Sequence, residues 1–252
     1  MIFDEIQEKL SEIERTSGVR ILYACESGSR AWGFPSPDSD YDVRFIYVHP
    51  RNWYLGIYDN KDVIELPVNE ILDISGWDLR KALRLFKNTN APLYEWLQSG
   101  IVYRQNAAFT QELKALMPEY YLLRSGLHHY LSMAKNAFAE LQGEAVRVKK
   151  YFYCLRPLLA AKWIIDRQQL PPMDFDTLRT NLADSAINSE IDTLLELKRK
   201  ADEKGTIAPM PAINAFIEQQ ITWCSENQQE VERKETDAAP LNNLFRKYID
   251  EA

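Results

Sequence analysis

Apolar residues open the chain at helical spacing: Phe3, Ile6, Leu10 and Ile13, with charged residues between them. That spacing predicts a helix over 2–16, closed by Gly18. The period then changes. VRILYACES is an apolar, β-branched and aromatic run ending at Gly28, and YDVRFIYV is a second such run; both predict strands. Between them FPSPDSD carries the Pro, Ser and Asp of a turn. WYLGIYDNKDVIELPV reads as a hairpin turning at Asp59-Asn60-Lys61, and NEILDIS as a further short strand. GWDLRKALRLFKNTN reads as a helix ended by Asn90 and Pro92.

From about residue 109 the pattern is helical throughout, in TQELKALMPEYYLLRSGLHHYLSMAKNAFAEL and AVRVKKYFYCLRPLLAAKWIIDRQQ. Pro171-Pro172 interrupts it, and further helices are expected over 174–203 and 211–232. Strands mixed with helices, followed by helices alone, predict an α/β (α+β) chain. The expected organisation is a small mixed-sheet domain over 1–108 and a helical domain over 109–252.

Composition narrows this only a little. With 252 residues, 46% hydrophobic and 27% charged, the chain can bury a real core, and disorder is expected at most in the tail. No window approaches the roughly 18 apolar residues of a membrane span, and the charged first helix lacks a signal peptide's apolar centre. A cytoplasmic protein with no membrane partner is the expectation. Cys25, Cys154 and Cys224 lie far apart without CxxC spacing, which predicts buried free thiols. The net charge of −7 argues against a general nucleic-acid-coating surface and lends no support to RNA as a partner.

The chemistry concentrates in YACESGSRAWGFPSPDSDYDVRFIY. In a strand, residues two apart share a face about 6.5–7 Å apart, so Asp40 and Asp42 point the same way. Two like charges at a strand edge are unfavourable unless something positive lies beside them. Divalent cations meet that need, and magnesium accepts a few carboxylate oxygens while leaving positions for phosphate. Gly28-Ser29 suits the same purpose, glycine allowing close backbone approach and serine a hydroxyl donor, with a helix expected around Ser29–Gly33. Each piece alone reads equally as turn chemistry; Asp42, inside an unbroken strand run, does so least. Arg30, beside Ser29, is placed to meet a phosphate.

Gly28-Ser29, ten residues, then Asp40-Tyr41-Asp42-Val43 resembles the signature of the DNA polymerase β-type nucleotidyltransferase superfamily. The longer strings GSRAWGFPSPDSDYDVRFIYV, GWDLRKALRL and KKYFYCLRPLLAAKW are similar to a bacterial subgroup of predicted nucleotidyltransferases, which includes proteins associated with RNA-repair ligases. Ser27 departs from the pattern, which usually has an apolar residue there. The resemblance implies Mg²⁺ (or Mn²⁺) on Asp40, Asp42 and a third carboxylate from a neighbouring strand. Asp73 in NEILDISGW is the candidate, with Glu65 and Glu70 as alternatives.

It implies attack by an acceptor hydroxyl on the α-phosphorus of an NTP, with loss of pyrophosphate. It also implies a helical domain over the nucleotide, with Lys150, Tyr153 and Arg156 as candidate contacts to triphosphate or base. The alternative for that helix is a solvated basic face over an aromatic core. Arg80 and Lys81 read as surface charge, His128-His129 lack a third metal ligand, and Trp32 reads as packing or as a base-stacking ring. The acceptor stays open between small molecule, protein and RNA end. The competing class is a non-catalytic nucleotide- or partner-binding protein that retains the fold.

Overall fold

The computed structural model describes residues 2–67, 71–200, 205–230 and 235–251. In chain order the elements are α1 (Ile2–Ser17), β1 (Arg20–Glu26), α2 (Gly28–Trp32), β2 (Tyr41–Val48), α3 (Arg51–Tyr54), β3 (Val63–Glu65) and β4 (Leu72–Asp78). There follow α4 (Leu79–Lys87), α5 (Ala91–Gln98), β5 (Val102–Gln105), α6 (Ala107–Tyr120), α7 (Leu123–Ala139), β6 (Val146–Arg147) and α8 (Val148–Arg167). The chain ends with α9 (Phe175–Arg179), α10 (Ser185–Lys200), β7 (Thr206–Ile207), α11 (Pro211–Asn227) with a short 3-10 turn after it, and α12 (Ala239–Asp250). This is a mixed α/β chain.

It divides into two compact units, both discontinuous: one holds 1–28, 40–121 and 235–252, the other 29–39 and 122–234. The division differs from the expected boundary at 108 in three places. Helix α6 and the C-terminal α12 belong with the sheet, because Phe109, Leu113 and Tyr120 of the former and Leu241 and Tyr248 of the latter are buried there. The spacer 29–39 belongs with the helices.

The sheet unit carries five strands in the order β3-β4-β2-β1-β5, with β2 and β4 parallel and the other neighbours antiparallel. Helix α1 lays Ile6, Leu10 and Ile13 onto the face formed by Val43, Phe45, Tyr47, Leu72 and Ile74. The alternation of β2 and β4 therefore sends Asp42, Arg44 and Asp73 to the opposite face.

Three expectations in this region change. The hairpin over 53–68 does not form: Trp53 and Tyr54 lie in α3, and β3 pairs with β4 instead. The aromatics decide this. Trp53 stacks on His49 at 3.9 Å, and the Tyr54 hydroxyl donates to Asp78 at 2.6 Å. Gly76-Trp77, read as the start of a helix, continue β4, and Asp78 caps α4 by accepting from the Arg80 amide. Gly76 is needed there because the ring of Phe45, its partner on β2, lies 2.3 Å from where a Cβ would stand. Asn90 and Pro92 open α5 rather than close α4, the Asn90 side chain accepting from the Leu93 amide. Helices α5 and α12 and strand β5 carried no prediction.

In the helical unit α7 and α8 pack along their length, with α11 against both. The spacer 29–39 is bound in by aromatic packing: Phe34 stacks on Phe152 at 4.8 Å and meets Phe175 edge-on at 5.4 Å. Lys198, almost fully buried, donates to the Ser36 hydroxyl at 2.6 Å. The helices expected over 174–203 are α9 and α10, with 201–203 outside the described residues.

The Gly76 contact yields a direct test. Gly76→Ala drives a methyl into the Phe45 ring and should lower unfolding free energy by about 1–3 kcal/mol, read as an earlier midpoint in urea. An unchanged midpoint would show that the strands slide apart at no cost.

Candidate active site

The site is built where β1 ends. Ser27 donates its amide to the Asp42 carbonyl at 2.8 Å, and the Asp42 amide in turn donates to Oε1 of Glu26 at 2.8 Å. A side-chain carboxylate thus takes the place of a ladder carbonyl and fixes Asp42 from both sides of its peptide. Glu26 is fully buried, and its other oxygen accepts from the Tyr103 hydroxyl of β5. A buried carboxylate is tolerable only with such donors. Nothing in the periodicity of VRILYACES separated Glu26 from an ordinary strand-end charge, so sequence reading missed it.

Gly28 completes the clamp. Its φ is +60°, and a Cβ there would stand 2.1 Å from Oδ2 of Asp42. A β-carbon there would have to push the Asp42 carboxylate aside, on a backbone conformation that side chains rarely adopt. Sequence reading assigned that room to an incoming phosphate; here the Asp42 carboxylate fills it.

Asp42 and Asp73 are direct Cα partners across the parallel β2–β4 pair. Between their carboxylates lies Arg44, whose Nη2 donates to Asp42 Oδ1 at 3.0 Å and to Asp73 Oδ2 at 2.6 Å. Nη1 of the same guanidinium reaches the Asp73 carbonyl at 2.9 Å. The positive charge expected beside the carboxylates is, in this structure, an arginine two residues along the same strand. Each carboxylate is about one-third exposed, so the site opens to solvent.

Asp40 stands one residue before β2 and is exposed. Among the described residues no group of three or more His, Cys, Asp or Glu is arranged as a ready metal cage. The three candidate carboxylates are thus not gathered as one preformed triad. Glu65 is exposed on the edge strand, opposite Ser75. Glu70 lies outside the described residues.

The remaining candidates lie in the helical unit. Ser29, buried, donates its hydroxyl to that of Ser39 at 3.1 Å. Arg30 reaches the Ser39 carbonyl through Nε at 3.2 Å and Nη2 at 2.6 Å. Both residues close the spacer on itself. Lys150 is ion-paired with Glu140. Arg156 lies inside the unit at 2% exposure, its Nε on the Met173 carbonyl and its guanidinium 4.4 Å from the Trp32 ring centre. It is neither on a solvated basic face nor open to a triphosphate. Tyr153 is exposed and meets the Trp32 ring edge-on at 6.1 Å. The three cysteines are buried free thiols, and burial pushes Cys154 and Cys224 up to about 12.

A glycine thus lies under one carboxylate, and a second carboxylate stands in register beside it. The sequence matches the RNA repair pathway DNA polymerase beta family (RlaP) over residues 2–247. The chain belongs to that family. A Bacillus subtilis (strain 168) protein, "Uncharacterized protein YcgL", is 47% identical over 249 residues, covering 98% of this chain and 96% of its own. A crystal structure of a nucleotidyltransferase-like protein from Exiguobacterium sibiricum 255-15 aligns with all of this chain and 81% of its own. Its identity of 9% and TM-score of 0.32 are too low to carry an argument. Membership in a polymerase-beta family supports nucleotidyltransferase activity in general terms. No helix among the described residues is long and apolar enough to cross a membrane.

The Glu26 clamp makes a prediction for this family member. Glu26→Ala removes the acceptor of two donors, the Asp42 amide and the Tyr103 hydroxyl, and should cost about 2–6 kcal/mol at roughly 1–3 per lost bond. Tyr103→Phe removes only one partner and should cost less than half as much in the same urea series. Equal costs would place the energy in the tyrosine's packing instead.

Proposed function

We propose that the chain is a metal-dependent nucleotidyltransferase, moving a nucleoside monophosphate from an NTP to a hydroxyl with release of pyrophosphate. The observation that carries this is the in-register pair Asp42 and Asp73, whose carboxylates converge on one cationic nitrogen. Hard oxygen donors around a seat for positive charge are the chemistry that Mg²⁺ or Mn²⁺ requires. Asp42 and Asp73, joined by Asp40, would hold the metal. Bound there, it would neutralise charge on the transferring phosphoryl oxygens.

The protein's own part is positioning. Glu26 holds the Asp42 backbone through its amide, and Gly28 leaves room for the carboxylate. Asp73 would accept the proton of the acceptor hydroxyl. Arg44 offsets the repulsion of the two aspartates, and with a metal between them its guanidinium would be available to phosphate oxygens. Ser29 and Arg30 would meet the triphosphate by exchanging their bonds to Ser39 for bonds to phosphate oxygens. The family description makes a terminal hydroxyl of RNA the first acceptor to try, ahead of a small molecule or protein side chain.

One observation favours the non-catalytic reading: Arg44 already satisfies both carboxylates, as in a site that has no use for a metal. The two readings predict different outcomes. Purified chain with each NTP, Mg²⁺ or Mn²⁺, and RNA bearing a 3′ hydroxyl should release pyrophosphate. Asp42→Asn should lower the rate about 100-fold or more. No release with any nucleotide and acceptor, or equal release by Asp42→Asn, would sink the enzyme reading.

Arg44→Met provides a second check without turnover. It leaves the aspartates facing one another, so it should destabilise the chain by about 1 kcal/mol in chelator. Added Mg²⁺ should raise its melting temperature more than it raises the wild type's. An identical Mg²⁺ response in both would mean that arginine and metal do not compete for one seat.

A further inference from the structure

We propose that the basic face of α4, within the sheet unit, binds single-stranded nucleic acid, holding its phosphates in one groove and stacking its bases in a neighbouring hollow. No transfer chemistry is required for this, so it stands apart from the nucleotidyltransferase reading.

Helix α4 has the sequence LRKALRLFK, four cations and no acidic residue in nine positions. In a chain of net charge −7 that concentration is local and one-sided. The helix dipole favours Arg84 and Lys87, which stand in the last turn, but disfavours Arg80 and Lys81 in the first. Like charges four residues apart, as Arg80 and Arg84 are, also weaken a helix.

Three of the four cations share one groove. Arg80, Arg84 and Lys87 line a hollow of about 320 Å³ between α4 and α12, opposite Leu241 and Phe245. Among the described residues no carboxylate lines it, and neither Arg84 nor Lys87 has an ion pair or a side-chain hydrogen bond. Arg80 is held by rings, its guanidinium 4.8 Å from the Tyr54 ring centre and 5.4 Å from that of Phe245. Such a clamp orients the guanidinium and leaves its charge in place. From Arg80 to Arg84 to Lys87 the helix rises about 6 and then about 4.5 Å. The wall therefore meets anions in series rather than one anion from three sides, which is the form of a phosphodiester backbone.

Arg80 and Arg84 also line a second hollow, of about 430 Å³, whose walls include Trp53 and Tyr58. Asp59, Asp62 and Asp78 share that hollow, with Asp62 paired to Lys81 at 2.9 Å and Asp78 buried against the Tyr54 hydroxyl. Phosphates thus belong in the first hollow and bases in the second. Tyr58 is 81% exposed, and Trp53 is fixed by lying flat on His49. A cationic groove beside aromatic rings is what a single strand requires, since every base has a face to stack. A duplex hides those faces, and an acidic peptide lacks them.

The full chain is titrated, without NTP, against a labelled single strand of about 12 nucleotides, once as RNA and once as DNA, and followed by fluorescence anisotropy. Three phosphate contacts at a slope near −0.7 each predict an affinity loss of about 20-fold between roughly 50 and 200 mM salt. Arg84→Ala combined with Lys87→Ala leaves one of those contacts; it should bind more weakly and lose only about 3-fold over the same range. Tyr58→Ser should weaken binding about 5-fold or more with the salt dependence unchanged. Arg84 and Tyr58 are exposed, so these variants should fold, and melting curves verify it. Binding of RNA, DNA or both supports the proposal and names the polymer. No binding by the wild type, an unaltered salt dependence in the double variant, or equally tight binding of polyglutamate would overturn it. Pyrophosphate release takes no part in the readout, so a failure of the transferase reading leaves the result untouched.

Discussion

The site turns on one steric fact: a carboxylate stands where the Cβ of residue 28 would be. Because Gly28 has no side chain, Asp42 can lay its oxygens over the end of β1. Its amide meets Glu26 and its carbonyl Ser27 where the β1–β2 pairing ends. The parallel β2–β4 ladder sets Asp73 beside it, so one guanidinium can serve both carboxylates.

The clamp also accounts for where charge sits in an acidic chain. Two aspartates and a fully buried glutamate lie on three adjacent strands, β4, β2 and β1. Burial of a carboxylate costs several kcal/mol unless donors meet it. Each has its own: Tyr103 and a backbone amide for Glu26, Arg44 for the aspartate pair. Arg44 comes from the strand itself, two residues beyond Asp42, so the counter-charge is carried on the element that creates the need. Net charge over the chain says nothing of this arrangement, since it is settled within one strand pair.

How much of this could be read from the sequence follows from range. Strand β2, helix α1 and the shared face of Asp42 with its strand neighbours rest on periods of two and about 3.6, which are local, and the sequence displays them. Gly28 announced a close approach but not by what, because the approaching carboxylate is fourteen residues on. Asp73 was singled out for interrupting an apolar run; its register against Asp42 is a pairing that no local pattern encodes. Glu26 and Arg44 were overlooked because a charge at a strand end and one in a half-buried strand are ordinary by composition. The false hairpin at 53–68 has the same source. Asp59-Asn60-Lys61 is sound turn chemistry, but Trp53 and Tyr54 are claimed by His49 and Asp78, contacts that span up to 24 residues.

The linear boundary failed for a more instructive reason. A composition change near 108 is real, yet a unit is defined by what buries what. The eleven residues between Gly28 and Asp40 carry Trp32 and Phe34, and these aromatics find their partners on α8 and at Phe175. Their polar residues close on Ser39 and on Lys198. The spacer therefore belongs to the helical unit while both of its flanks belong to the sheet. Pattern searches treat that spacer as filler of fixed length between a Gly-Ser pair and two aspartates. Its packing says otherwise: length alone would be met by any flexible loop, whereas stacked aromatics and a buried lysine are met by few sequences. Its two ends run directly into the glycine and the first aspartate of the site, at Gly28 and Asp40.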